Sequence, residues 1–178
     1  MIPVKTDVEA QRDHVDDFLV HCEGIPDLDH DVEGIVERIQ GLEKRFKRAM
    51  EETLEEHGLS LGEWRVLGSL RRSEDHRCCT PGELSSQLEL SSGAMTNRLD
   101  RLEAAGLVRR RPDPSDRRGV RVELTEAGDR TWLESTNAQA IKEALVAGAL
   151  SKAEQHELNA LLRKLMLAFD RTTTAPAS

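Results

Sequence analysis

The sequence predicts a mainly α fold carrying one small β-hairpin, and three observations point to it. Apolar residues recur every three or four positions over most of the 178 residues. Two short stretches, 107–113 and 119–125, alternate instead, as strands do. Glycines and Ser/Thr-x-x-Glu pairs fall where helix ends need caps.

Taken in order, residues 6–22 read as a short amphipathic helix with Val8, Val15, Phe18, Leu19 and Cys22 near one face and Asp7 placed to help the helix dipole. Gly24 and Pro26 break it. A long helix follows over about 30–57, where Val32, Ile35, Ile39, Leu42, Phe46, Ala49 and Leu54 step mostly by three and four, and Gly58 suits a C-terminal cap. At 1.5 Å per residue it runs roughly 40 Å, too long to be buried within one small core. A helix is predicted over 61–72, and SEDHRCC (73–79) reads as a loop. The segment 80–88 opens with Thr80, Pro81 and Glu83, a capping box with proline at the first helical position. After a turn, 92–106 is a helix ended by Gly106, with Met95, Leu99, Leu102 and Ala105 on its apolar face. The two alternating segments then flank a Pro-Ser-Asp-Arg-Arg turn. Helix returns over about 126–148, and a last helix over about 152–170 starts at a second capping box, Ser151 with Glu154. The domains expected are an N-terminal extra helix and linker (1–29), a helical region (30–60 and 126–171), a lobe (61–125) and a disordered tail (172–178).

Composition narrows the function. The first 30 residues lack an apolar signal core, no stretch approaches the roughly 20 apolar residues of a membrane span, and three cysteines make no disulfide framework. A cytoplasmic chain with no membrane partner is expected. The aromatics are Phe18, Phe46, Phe169, Trp64 and Trp132, too few for the stacking platforms of single-strand readers. No nucleophile elbow, phosphate loop, HExxH or dinucleotide fingerprint is present, so neither an enzyme nor a cofactor is expected.

The net charge of -8 is unevenly spread. Residues 1–57 hold 16 acids against 7 Lys and Arg, whereas 98–121 hold eight Arg against four acids. That local excess marks a polyanion contact, and arginine's planar fork suits phosphates and base edges. The order helix, short helix, turn, helix, hairpin over 61–125 is a winged helix-turn-helix arrangement, in which the second helix of the pair enters a major groove and the hairpin reaches backbone or minor groove. The first turn of that helix presents Ser92, Thr96, Asn97 and Arg98, beside the small Gly93 and Ala94.

The stretch TPGELSSQLELSSGAMTNRLDRLEAAGLVRRRPDPSDRRGVRVELTEAG (80–128), above all the wing's DRR followed by VELTEAG, resembles the MarR family of bacterial transcription regulators. The resemblance extends from about 30 to 170. It implies a homodimer held by the N- and C-terminal helices, a pseudo-palindromic double-stranded DNA operator, and most often repression relieved by a ligand. It further implies that Ser91, Ser92, Thr96, Asn97 and Arg98 meet the major groove and Thr80 a phosphate, with Arg117 or Arg118 in the minor groove and Asp116 bracing the arginine. The extra N-terminal helix is most similar to the PecS and urate-responsive branch. This chain lacks that branch's N-terminal Trp and carries Arg65 at its acidic position. A cluster of Arg65, Arg98 and Arg109 would instead favour a small anionic or phenolic effector.

Other chemistry is weaker. His76, Cys78 and Cys79 lack the spacing of a zinc site, so no metal is expected. His14 and His21 share a helix face, whose ordinary reading is half-exposed surface. Cys22 could make a redox-sensing regulator, although a packed apolar cysteine is the plainer reading. The remaining alternative is a winged-helix protein-interaction adaptor that does not read DNA.

Overall fold

The computed structural model describes residues 12–74, 77–114, 116 and 119–174. The chain divides into two compact units, 1–52 and 53–178.

In the first unit, α1 (His14–His21) begins later than expected. Asp13, not Asp7, caps it: the Asp13 carboxylate accepts the N–H groups of Val15 (2.8 Å) and Asp16 (3.1 Å), and Asp16 accepts the N–H of Asp13 (2.7 Å). Residues 6–11 of the expected helix lie outside the described residues, as do residues 1–5 before it. α2 (His30–Glu56) starts where Asp29 accepts from the N–H groups of Asp31 (2.9 Å) and Val32 (3.2 Å). Two glycines seven apart seat α1 on it. A Cβ on Gly34 would lie 3.5 Å from the Leu19 side chain, and one on Gly41 would lie 3.5 Å from the His14 ring. Between them, Arg38 forks onto Asp13 (2.9 Å) and Asp16 (2.6 Å), and Val15 is buried beneath. The Arg38 hydrogen bond holds the Asp13 carboxyl below its ordinary range.

The second unit contains the last turn of α2 and every later element. Gly58, at φ +68, ends α2, and the N–H of Leu59 returns to the Leu54 carbonyl (2.9 Å). α3 (Leu61–Arg72) starts at a capping box of Ser60 and Glu63. Then come β1 (Cys78–Cys79), α4 (Pro81–Gln87), α5 (Ser92–Ala104), β2 (Val108–Pro112) and β3 (Val120–Leu124). The sheet is antiparallel in the order β1-β3-β2, with Cys79 opposite Val122 and Arg109 opposite Glu123. The expectation that 73–79 is all loop is corrected: Cys78 and Cys79 form an edge strand, too short to show a period.

One core closes this lobe. Val66, Leu67 and Leu70 of α3, Leu84 of α4, Met95, Leu99 and Leu102 of α5, and Val108 and Val122 of the sheet are all buried. α6 (Glu126–Ala147) starts tightly against the hairpin: the Thr125 N–H donates to the Leu107 carbonyl (3.1 Å), and a Cβ on Gly128 would stand 2.1 Å from that oxygen. Only glycine fits there. α6 packs on α3, where Trp64 and Trp132 stack at 5.8 Å and Arg71 lies over Trp132. α7 (Lys152–Thr174) begins at the Ser151–Glu154 box and continues past the expected boundary at 171. The last four residues lie outside the described ones.

Candidate nucleic-acid interface

The helix-turn-helix is built by local chemistry. Thr80 caps α4: its hydroxyl accepts the Glu83 N–H (3.2 Å), and Glu83 accepts the Thr80 N–H (2.7 Å). The turn into α5 puts Glu89 at φ +53. Ser91 then caps α5, its hydroxyl accepting the Ala94 N–H (3.3 Å). Burying Met95, Leu99 and Leu102 leaves Ser92, Gly93, Thr96 and Asn97 exposed on the opposite side. Thr96 donates its hydroxyl hydrogen to the Ser92 carbonyl (2.9 Å), which fixes its rotamer and leaves the oxygen free to accept.

Arg98 is less exposed than Ser92, Thr96 and Asn97. It is half-buried, and its guanidinium lies so close over Gly62 that a Cβ there would stand 2.6 Å away. With Asn97 it lines a cavity of about 550 Å³ shared with Ser60, Glu63 and Arg101. Arg65 lines a different cavity, of about 300 Å³, with Trp64, Gly68 and Arg72. Arg109 turns onto Glu123, with bonds of 2.8 and 2.7 Å. Of the residues expected to form one ligand cluster, Arg65 and Arg98 thus line separate cavities in the single chain, and Arg109 pairs with Glu123.

The arginine run is also revised. Arg109 and Arg111 share Glu123 on the outer face of the sheet, Arg111 at 2.9 Å, and the Arg109 hydrogen bond holds the Glu123 carboxyl below its ordinary range. Arg110 takes the opposite face and pairs with Asp100 and Glu103 of α5. Arg101 stands 3.8 Å from Glu63. Much of the local positive charge is thus answered within the lobe. At the wing, the Asp113 N–H donates to the Gly119 carbonyl (2.9 Å) and the Gly119 N–H to that of Asp116 (2.8 Å), closing the turn. Arg117 and Arg118 lie outside the described residues, as does His76.

Sequence reasoning missed the Ser60–Glu63 box, whose Ser-x-x-Glu spacing is legible, and the Arg110 pairing, which has no local signal. Among the described residues no group of His, Cys, Asp and Glu is arranged to hold a metal, and no helix is long and apolar enough to cross a membrane. Cys22 and Cys79 are buried, and burial pushes the Cys79 thiol above its ordinary range.

A helix-turn-helix with an exposed polar second helix, followed by a β-hairpin, defines a winged helix-turn-helix protein. The model of the MarR family matches residues 57–119. The chain is 35% identical to the multiple antibiotic resistance protein MarR of Escherichia coli K12 over 102 residues, 57% of this chain and 69% of MarR. It is 29% identical to the transcriptional regulator PecS of Dickeya dadantii over 140 residues, 79% of this chain and 84% of PecS. A mutant E. coli MarR crystallised with operator DNA superposes with a TM-score of 0.58 at 31% identity, covering 78% of this chain and 98% of that one. The chain belongs to the MarR family.

Proposed function

We propose that the protein is a cytoplasmic, sequence-specific regulator of transcription that binds a pseudo-palindromic double-stranded operator as a homodimer, acts as a repressor, and is released by a small effector. It performs no catalysis in this reading. The observation that carries the proposal is the exposed row Ser92, Thr96 and Asn97 over the buried face of α5. The E. coli MarR mutant crystallised with operator DNA supports DNA binding by this chain.

In this reading Ser92, Thr96, Asn97 and Arg98 face base edges, with Ser91 at the helix start and Thr80 near a phosphate. Arg117 or Arg118 enters the minor groove and Asp116 braces it. The two-fold symmetry of a dimer places half-sites about one helical turn apart, roughly 10 bp. Self-association is supported by apolar residues left open on the long helices, among them Ile35, Ile39 and Leu42 of α2 and Leu161 and Leu165 of α7. In this reading an anionic or phenolic effector would occupy the cavity lined by Trp64, Arg65 and Arg72, and it releases DNA only if it binds the two states unequally.

The test is a gel-shift titration against the upstream region of the chain's own gene with excess competitor duplex, repeated over a salt series. Affinity should fall steeply as salt rises. Asn97→Ala should cost about 1–3 kcal/mol and relax preference at one position in each half-site. Equal binding to operator and competitor would reject the proposal and return the adaptor reading.

A further inference from the structure

Arg110 sits in the middle of β2, within the arginine run that the sequence marks for polyanion contact, yet its surroundings point elsewhere. Its side chain is turned toward α5, where its fork spans two carboxylates three residues apart. Nη2 donates to Asp100 (2.7 Å) and Nη1 to Glu103 (2.6 Å). The backbone N–H of Arg110 also donates to the second oxygen of Glu103 (2.9 Å). Three charge-assisted bonds thus join one strand residue to the helix that carries Thr96 and Asn97.

Two features make this more than a surface ion pair. First, Arg110 stands at the outer end of the buried part of β2. Closer to the body, Val108 and Leu124 are buried, as is Val122 directly opposite Arg110; farther out, Arg111, Pro112 and Val120 are exposed. Second, two carboxylates against one guanidinium leave the locus with a net negative charge, which disfavours a phosphate at that point. A run of arginines therefore contains one that faces away from a polyanion.

We propose that Arg110 is a positioning residue, which fixes the angle between α5 and the wing so that the base-reading helix and the hairpin tip engage one duplex together. The assignment rests on the DNA-reading function proposed above. A wing held in place has its ordering cost met before binding, whereas a loose wing loses that freedom on the operator.

The decisive experiment uses charge of the wrong sign. The full-length double variant Asp100→Asn with Glu103→Gln makes the protein two charges more positive and leaves Arg110 untouched. Electrostatics alone predicts tighter binding to every duplex. The positioning role predicts roughly tenfold weaker operator binding, alongside equal or tighter binding to a random-sequence duplex. Arg110→Met should likewise weaken operator binding while leaving the slope of log K against log salt unchanged. A direct phosphate contact would instead lower that slope by about 0.9. Arg110→Glu should lose more, and adding Glu103→Arg to it should restore part of the loss, a rescue that general destabilisation does not give. Thermal melts of each variant confirm folding at the assay temperature. Operator affinity that rises with the double variant, or a salt slope that drops with Arg110→Met, overturns the assignment. A wild-type chain without operator preference fails earlier and overturns the DNA reading itself.

Discussion

The reading lobe and the long helices draw on the same aliphatic residues at the same helical spacing, and they end in opposite environments. Leu67 and Leu70 of α3 and Leu84 of α4 show none of their surface. On α7, Leu161 shows 54% and Phe169 75%, and on α2 Ile35 shows 50%. A periodic apolar stripe states that a face will be covered, not by what. In the lobe the cover is the chain itself: three helices and a hairpin close over one core. The stripes of α2 and α7 stay open in the single chain, and the homodimer proposed above would cover them.

The largest expected effect tests that contrast directly. Leu67→Ala should cost about 2–5 kcal/mol in a denaturant melt, because the site is fully enclosed and cannot collapse. Leu165→Ala, on the open face of α7, should cost less than about 1 kcal/mol at concentrations where the chain is monomeric. Equal losses would mean that α7 is already covered within one chain. Next comes Leu161→Glu with Leu165→Glu. If these side chains enter an interface core, the dimer dissociation constant should rise about a hundredfold or more. Sedimentation equilibrium would show it, and an unchanged mass would remove α7 from the interface.

The two regions also differ in how far they were legible. Helix ends were readable where the signal is local: Gly58, Gly106, Thr80–Glu83 and Ser151–Glu154 all act within one turn. Ser60–Glu63 has the same spacing and was legible, though overlooked. β1 was not, because two residues have no period. The polar face of α5 followed from the spacing of Met95, Leu99 and Leu102. The partners of the arginines did not follow, because a run of charge declares its sign and not its contacts. Arg109 and Arg111 meet Glu123 across a strand pair, and Arg110 meets Asp100 and Glu103 only after the hairpin folds back. The seven-residue spacing of Gly34 and Gly41 gains its meaning only once α1 is seated there.

A smaller effect sharpens the picture of the lobe as a self-sufficient fold. Glu89 occupies the left-handed region at φ +53 in the turn between α4 and α5. That conformation costs a residue with a Cβ, whereas glycine adopts it freely. Glu89→Gly should raise stability by about 0.5–1 kcal/mol, offset in part by the greater freedom of the unfolded chain. A lower melting midpoint would mean that the Glu89 side chain makes a contribution larger than its strain.

The smallest effect concerns pH, and its sign follows from the wing anchor. Hydrogen bonds from the backbone and then the side chain of Arg110 hold the Glu103 carboxyl below its ordinary value of 4.5. A depressed carboxylate contributes stability that is complete above the unfolded value and lost as pH falls through the folded one. The acid limb of a melting-temperature profile should therefore be shallower in Glu103→Gln than in the parent below about pH 4.5. Because Glu103 is more than a third exposed, solvent screening keeps the difference small. The same profile taken on Leu165→Ala should keep the parent's acid limb, since α7 carries no part of this pairing. If both variants flattened the limb alike, acid sensitivity would belong to association of the long helices and not to the anchored wing.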